Sequence, residues 1–308
     1  MLATHFPGIR IIVLDRNYGF TGGYNRAMAR LLSGPGPRPE YLILLNSDIL
    51  VEPGWLDRLT DYMDTHPECG VCGPKLLALT HKDGAYIQTD RLEYAGAAGG
   101  YIDRFGYPFC RGRVLSRTDV DGPGYSSVKD VLWVSGACLM TRASLWEESG
   151  GLDERFFAHM EEIDYCWRAQ LAGHRVRVVP SSRVWHLGGG TLPRTSATKL
   201  RLNYRNGLLL LDNNLAPTIG RFKARVRIIT RLVLDDCSAL VYLLVGKTDF
   251  CGSVFRAHRE YRRLRKVPHK AASRNGDVRG VAPVCIILQS LLRGERIFDY
   301  LRRYEDSH

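Results

Sequence analysis

Nowhere in the chain does an apolar run approach the roughly 18 residues needed to cross a bilayer. The first ten residues, MLATHFPGIR, lack the apolar centre of a secretory signal. Both absences point to a cytosolic setting. Cysteine is sparse, eight residues in 308, and no signal places the chain where disulfides form, so the thiols are expected to be reduced. Cys69-Gly-Val-Cys72 has the spacing of a redox or zinc half-site, but no second pair accompanies it; CGVCGPKLLAL reads instead as a short buried strand. Internal repeats are absent too, and no nucleic-acid recognition module is legible despite a pI near 9.4.

What is present is an unevenly charged chain of ordinary globular composition, long enough for one large domain with an appendage. Its formal charge is +11. Residues 221–308 hold 19 Lys and Arg against 9 Asp and Glu, so nearly all the excess sits there. That excess points to an anionic neighbour for the segment, either lipid head groups or nucleic acid.

Up to about residue 205, strand-like and helix-like segments alternate. IRIIVLD (9–15), YLILLNSD (41–48), VLWVSGACLMTR (131–142) and HRVRVVP (174–180) read as strands; segments 19–34, 52–67 and 161–173 carry helical spacing. That alternation predicts an α/β fold around a mainly parallel sheet. Residues 83–127, rich in Gly and Tyr, show no period and read as a long functional loop. The expected division is a catalytic domain over 1–205 and a helical, basic region over 206–308, with 268–280 as an exposed linker.

Four features could carry chemistry. Asn46-Ser47-Asp48 closes a greasy strand; Asp48 either caps the turn or holds a hard divalent cation at the sheet edge where ligands collect. Glu161, Glu162 and Asp164 open a helix, where acids favour the dipole but crowding beside aromatics raises a carboxyl toward the range of a general base. VWHLGGGT (184–191) sets His186 before three glycines, as a structural imidazole or as a group reaching metal or phosphate. RNYGFTGGYNRAM (16–28) is a Gly-rich turn entering a helix, able to cradle phosphate, though it is neither a Walker A loop nor GxGxxG.

Order and spacing together say more than any one of these. NYGFTGGYNRAM, LILLNSDILVEPGWLDRL and the stretch from WVSGACLM to HLGGGT resemble, over roughly residues 9–215, the inverting family 2 glycosyltransferases of GT-A fold, in particular their bacterial rhamnosyltransferase-like branch. The resemblance implies a nucleotide-sugar donor and Mg2+ or Mn2+ held by Asp48 with His186. It implies Gly22, Gly23, Asn25 and Asn46 on the nucleotide side, Asn46 replacing the first Asp of a metal-binding DxD. Glu162 takes the place of the catalytic base, with Glu161 and Asp164 shaping the acceptor side. It further implies that the family's N-terminal strands, which receive the nucleoside base, are missing, leaving an unprotected sheet edge. The expected activity is inverting, metal-dependent sugar transfer to a glycan or lipid-linked glycan, for polysaccharide of the cell envelope, at the cytoplasmic face of the inner membrane through 221–308. The alternative is an inactive truncated remnant that serves as a binding partner.

Overall fold

The computed structural model describes residues 2–188, 196–269 and 276–306. The strands are β1 (Tyr41–Leu45), β2 (Ile49–Val51), β3 (Cys69–Lys82), β4 (Ala85–Leu92), β5 (Gly100–Asp103), β6 (Pro108–Cys110), β7 (Arg113–Val114), β8 (Arg117–Thr118), β9 (Lys129–Asp130), β10 (Cys138–Arg142), β11 (Arg175–His186) and β12 (Val281–Ala282). The α-helices are α1 (Leu2–His5), α2 (Gly19–Ser33), α3 (Trp55–Thr65), α4 (Ala143–Ser149), α5 (Glu161–Leu171), α6 (Ala197–Ile219), α7 (Arg221–Leu244), α8 (Thr248–Leu264), α9 (Ile286–Arg293) and α10 (Ile297–Asp306).

The α/β class holds, with helices against the sheets and a helical C-terminal region, but the main sheet is mixed rather than mainly parallel. Its order is β1-β10-β3-β11-β2, with β4 on β3 and β9 on β11. Of its pairings only β3–β11 is parallel. The reason lies in the connections: the chain leaves β3 through the β4 hairpin and a second sheet, and returns along β10 antiparallel to both neighbours. The apolar run of β1 is explained without a parallel partner, because both its faces are packed. Leu42 and Leu44 enter the main core, while Tyr41 and Ile43 lie against Leu59 and Met63 of α3.

Segment 9–15 is a second correction: it forms no strand. A strand needs a neighbour for its backbone groups, and among the described residues none lies beside it. Ile9, Ile11 and Val13 stay 62, 43 and 77 % exposed. The stretch is tied down by side chains instead, Arg30 donating to the carbonyl of Val13 and Arg10 to that of Pro35.

Residues 83–127 are not a loop. Strands β5–β8, joined by β12 running parallel to β5, build a five-stranded sheet. Its strands are two to four residues long, too short to display a period of two. Phe109 and Val114 of this sheet pack with Ile286, Ile297, Phe298 and Leu301 in a small second core. In the described part of 268–280, Pro268, His269, Asp277 and Arg279 are exposed as expected of a linker, yet its end is held: Arg279 donates its N–H to Gln170 and its guanidinium to Asp130.

CGVCGPKLLAL does form a buried strand; Cys69 and Cys72 are free thiols fully shielded in β3, and burial pushes the Cys69 thiol up to about 12. The expected 205/206 division falls inside α6. Leu208–Leu211 and Leu215 of that helix join Leu42, Val71, Trp146 and Trp167 in one core, with Ala224 and Tyr261 beyond.

Candidate active site

The site grows from one register. β2 follows Asp48 directly and pairs antiparallel with the end of β11, His186 opposite Ile49, so the turn carrying Asp48 and the last residue of β11 meet. The N–H of Leu187 donates to the Asp48 carbonyl at 3.1 Å. Asp48 Oδ1 lies 3.3 Å from His186 Nε2, the carboxylate reaching solvent and the imidazole largely buried. Asn46 turns its amide toward the same ring nitrogen, 3.4 Å away. These two residues and His186 are thus brought together as expected; Gly189, Gly190 and Thr191 lie outside the described residues.

Behind His186 stands a residue that sequence reasoning passed over. Glu93, buried at the end of β4, sets Oε1 3.5 Å from His186 Nδ1. Its other oxygen accepts from the N–H of Ala95. Among the described residues Nδ1 makes no hydrogen bond. Burial pulls the His186 pKa down, but Glu93 and then Asp48 more than reverse this and leave it raised. The only textual signal was an acid inside a Gly-rich stretch with no period, so nothing linked it to His186.

Asp48 Oδ1 and His186 Nε2 are spaced as neighbouring ligands of a small cation would be, and the carboxylate behind the imidazole is the usual partner of a metal-bound histidine. Among the described residues no group of three or more His, Cys, Asp or Glu could hold a metal on its own. Two protein donors with phosphate oxygens completing the shell is the habit of Mg2+ and its relatives. The residues present fit that arrangement.

The acidic pair sits across a short turn. The N–H of Asn46 donates to the carbonyl of Ala137 at 2.9 Å. The preceding Gly136 lies so close to Glu162 that a Cβ there would meet the glutamate Cβ at 3.5 Å. Glu161 and Glu162 form the first turn of α5, and one oxygen of each is buried without a hydrogen-bond partner. Burial holds Glu162 up at about 7, against opposing backbone N–H groups of the helix N-terminus. Glu161 is raised well above the usual carboxylate range too, by burial and then by the charge of Glu162. Two carboxyls in this position share a proton near neutrality.

The backbone leading into α5 is contorted. Phe157, His159 and Met160 have φ of 65°, 71° and 68°, a conformation L side chains rarely adopt and one that costs about 1–3 kcal/mol each. Asn206 in α6 holds it: its Nδ2 donates to the carbonyls of Phe156, Ala158 and His159 at 3.1, 2.8 and 2.7 Å. Arg205 adds a bond to Phe156 at 2.7 Å. The ring of Phe157 lies where any Cβ on Gly19 would be, 2.7 Å away, and Gly19 itself has φ 73°.

Other expected site residues are placed differently. Asp164 is fully buried and takes bonds from Arg168, Asn213 and Asn214, so it ties α5 to α6. The amide of Asn25 is spent on the backbone of Leu152, accepting its N–H and donating to its carbonyl. Gly22 and Gly23 lie within α2 rather than in a turn before it, and only at Gly23 is the space beside the backbone open. The α2 residues turned to the site are Phe20, against Gly136, and Tyr24, whose hydroxyl bonds Leu45 at the end of β1.

Fold and site together define an α/β group-transfer enzyme. The chain belongs to the family described as "Glycosyltransferase like family 2", which matches residues 1–207. It is 28 % identical over 211 residues to the N-acetylglucosaminyl-diphospho-decaprenol L-rhamnosyltransferase of Mycobacterium tuberculosis H37Rv, covering 67 % of each chain. It is 26 % identical over 186 residues to the rhamnosyltransferase WbbL of Escherichia coli K12, covering 60 % of this chain and 66 % of that protein. Among solved structures it is similar to a mannosyltransferase from Pyrobaculum calidifontis in complex with GDP-Man and Mn2+, at 10 % identity and TM-score 0.43, over 84 % of this chain and 72 % of that one. The protein is a glycosyltransferase of the rhamnosyltransferase-like branch of family 2.

Proposed function

We propose that this glycosyltransferase moves a sugar with inversion from a nucleotide-sugar to a lipid-linked glycan, using Glu162 as general base and a divalent cation at Asp48 and His186. The observation that carries the reading is the pairing of two opposite chemistries across the Gly136-Ala137 turn. On one side is a carboxylate–imidazole pair 3.3 Å apart; on the other is a buried carboxyl held near pH 7.

Glu162 in its ionised form accepts the proton of an acceptor hydroxyl as that oxygen bonds to the anomeric carbon. The bond from that carbon to the diphosphate breaks on the opposite face, which inverts the configuration. Glu161 beside it is raised as well, by burial and by the charge of Glu162, so the pair resists carrying two charges. Asp48 and His186 would hold Mg2+ or Mn2+, which supplies the positive charge that the departing diphosphate needs. Phe20 and Tyr24 wall the space between the two halves and help exclude water. Gly22, Gly23 and Asn25 act through α2, whose seating on residues 152–154 sets that wall. Of the acceptor-side pair, Glu161 acts through its charge on Glu162, and Asp164 works from behind, fixing α5.

The relatives named above include one acting on a diphospho-decaprenol-linked sugar, which supports a polyprenyl-diphosphate glycan as the acceptor to try first and residues 221–308 as a peripheral contact at the cytoplasmic face of a membrane. A catalytic unit over 1–205 carried by a helical 206–308 is kept as the functional division. The test is release of nucleoside diphosphate from activated sugars with Mn2+ and a lipid-linked acceptor. Glu162→Gln should lower turnover by 100-fold or more with donor binding retained; unchanged turnover would remove Glu162 from the role.

A further inference from the structure

The helix α7 carries apolar residues on both sides: Ala224, Ile228 and Leu232 pack on the main core, and the outward side is apolar as well. Its inward side buries a charged pair, Arg231 and Asp235, joined at 2.7 Å, with Arg231 also donating to the carbonyl of Gly106 at 3.0 Å and lying over the ring of Tyr107. Its outward side carries Phe222, Val226, Ile229, Val233, Leu240 and Leu244, each between 48 and 81 % exposed. These recur every three to four positions, apart from one longer step spanned by exposed Cys237, and so form one stripe. At 1.5 Å per residue it runs about 33 Å. The helix cannot roll to hide it without bringing its buried charged pair toward solvent and lifting Arg231 off the Gly106 carbonyl and the Tyr107 ring.

Beside it, α8 packs on both α6 and α7 and turns outward a row of another kind: Arg256, Arg259, Arg262 and Arg263, followed by Lys266, all exposed. The first turn of α7 adds exposed Arg221, Lys223 and Arg225. An apolar stripe bordered by cations has the composition of a helix lying in a bilayer interface. No helix among the described residues is long and apolar enough to cross a membrane.

We propose that the outward faces of α7 and α8 dock on an anionic bilayer, the stripe entering the head-group region and the arginine row meeting the phosphates. A second copy is the other conceivable cover for an apolar helix face. Pairing two such faces, however, would set basic rows against each other with Asp236 the main exposed acid along the stripe, whereas anionic head groups supply the missing charge. This deepens the acceptor reading above and shares its premise of a membrane-bound acceptor, but its test involves no sugar transfer.

The experiment is flotation of the full chain with vesicles of phosphatidylglycerol and phosphatidylcholine against vesicles of phosphatidylcholine alone, without donor or acceptor. Binding is expected to the anionic vesicles, falling at least tenfold in Val233→Glu/Leu240→Glu and in Arg259→Glu/Arg263→Glu, both of which alter exposed positions and should melt as the parent does. Should either variant prove unfolded, an environment-sensitive dye on Cys237, in a chain with Cys251→Ser and Cys285→Ser, gives the same reading: a blue shift with anionic vesicles only. No binding by the parent chain, or binding indifferent to all four substitutions, overturns the proposal. So does a dimer in sedimentation that Val233→Glu/Leu240→Glu dissolves while vesicles are ignored.

Discussion

At the scale of single residues the site is a set of groups held away from their ordinary protonation. Glu162 sits near 7, so turnover should rise as pH passes through that region and level off above it, read as kcat/KM against pH. Stability carries the opposite sign. A carboxyl whose pKa is raised on folding favours the folded state below the unfolded value of about 4.5 and loses that contribution as pH climbs to about 7. Glu162→Gln, which removes the titration, should therefore stabilise the fold at pH 8 by up to about 3 kcal/mol relative to the parent, read as a higher melting temperature, with little gain at pH 4. Glu93 makes a second test. Glu93→Gln removes the charge behind His186 while filling the same space, and should weaken Mn2+ binding about 10–100-fold, measured by calorimetry. Unaltered Mn2+ affinity would mean that His186 is held by the backbone of β11 alone.

At the scale of elements the decisive contact is that of α6 with the bend before α5. Three left-handed residues in a row of four are affordable only where something else fixes them, and one amide, Asn206, takes three of the carbonyls involved. Asn206→Asp cannot donate those bonds and places a charge among carbonyls; it should lower kcat tenfold or more and cost about 2–3 kcal/mol in denaturant melts, while leaving donor affinity nearly unchanged. Retained kcat would show that the bend needs no clamp. Gly19 is the counterpart on α2, since a side chain there would displace Phe157 from the mouth of the site.

The elements also show how far the text could be read. The strand, helix and Gly-rich segments around Asp48, Glu162 and His186 were legible because each carries a local pattern: an apolar run ending in polar residues, acids at a helix start, a histidine at a strand end. Glu93 and Asn206 were not, since their roles arise from register and from packing across more than 40 residues of chain. Direction was the other blind spot. An apolar run reports burial on both faces and is silent on whether the neighbouring strand runs parallel, so the antiparallel course of β10 left no mark in the sequence. Segment 9–15 has the composition of a strand, but pairing is a property of two segments, and composition reports only one.

At the scale of the whole molecule, the C-terminal residues close the structure back on its middle. β12 completes the small sheet, and α10 brings Glu305 to within 2.9 Å of Arg111, whose side chain is wholly buried. Glu305→Ala should leave that guanidinium unpaired and cost about 3–5 kcal/mol, checked by urea unfolding; Arg111→Met with Glu305→Leu should recover most of it. If Glu305→Ala melts as the parent does, the ion pair is not what seals the second core.

The position of α6 has a practical corollary. One helix both grips the bend beneath the base and seats α7 and α8, so the catalytic unit and the helical region share α6. A chimera that borrows another enzyme's surface helices has to join them after Ile219, keeping Arg205, Asn206, Asn213 and Asn214 from the parent, or else the recipient loses its active-site bend along with its old surface.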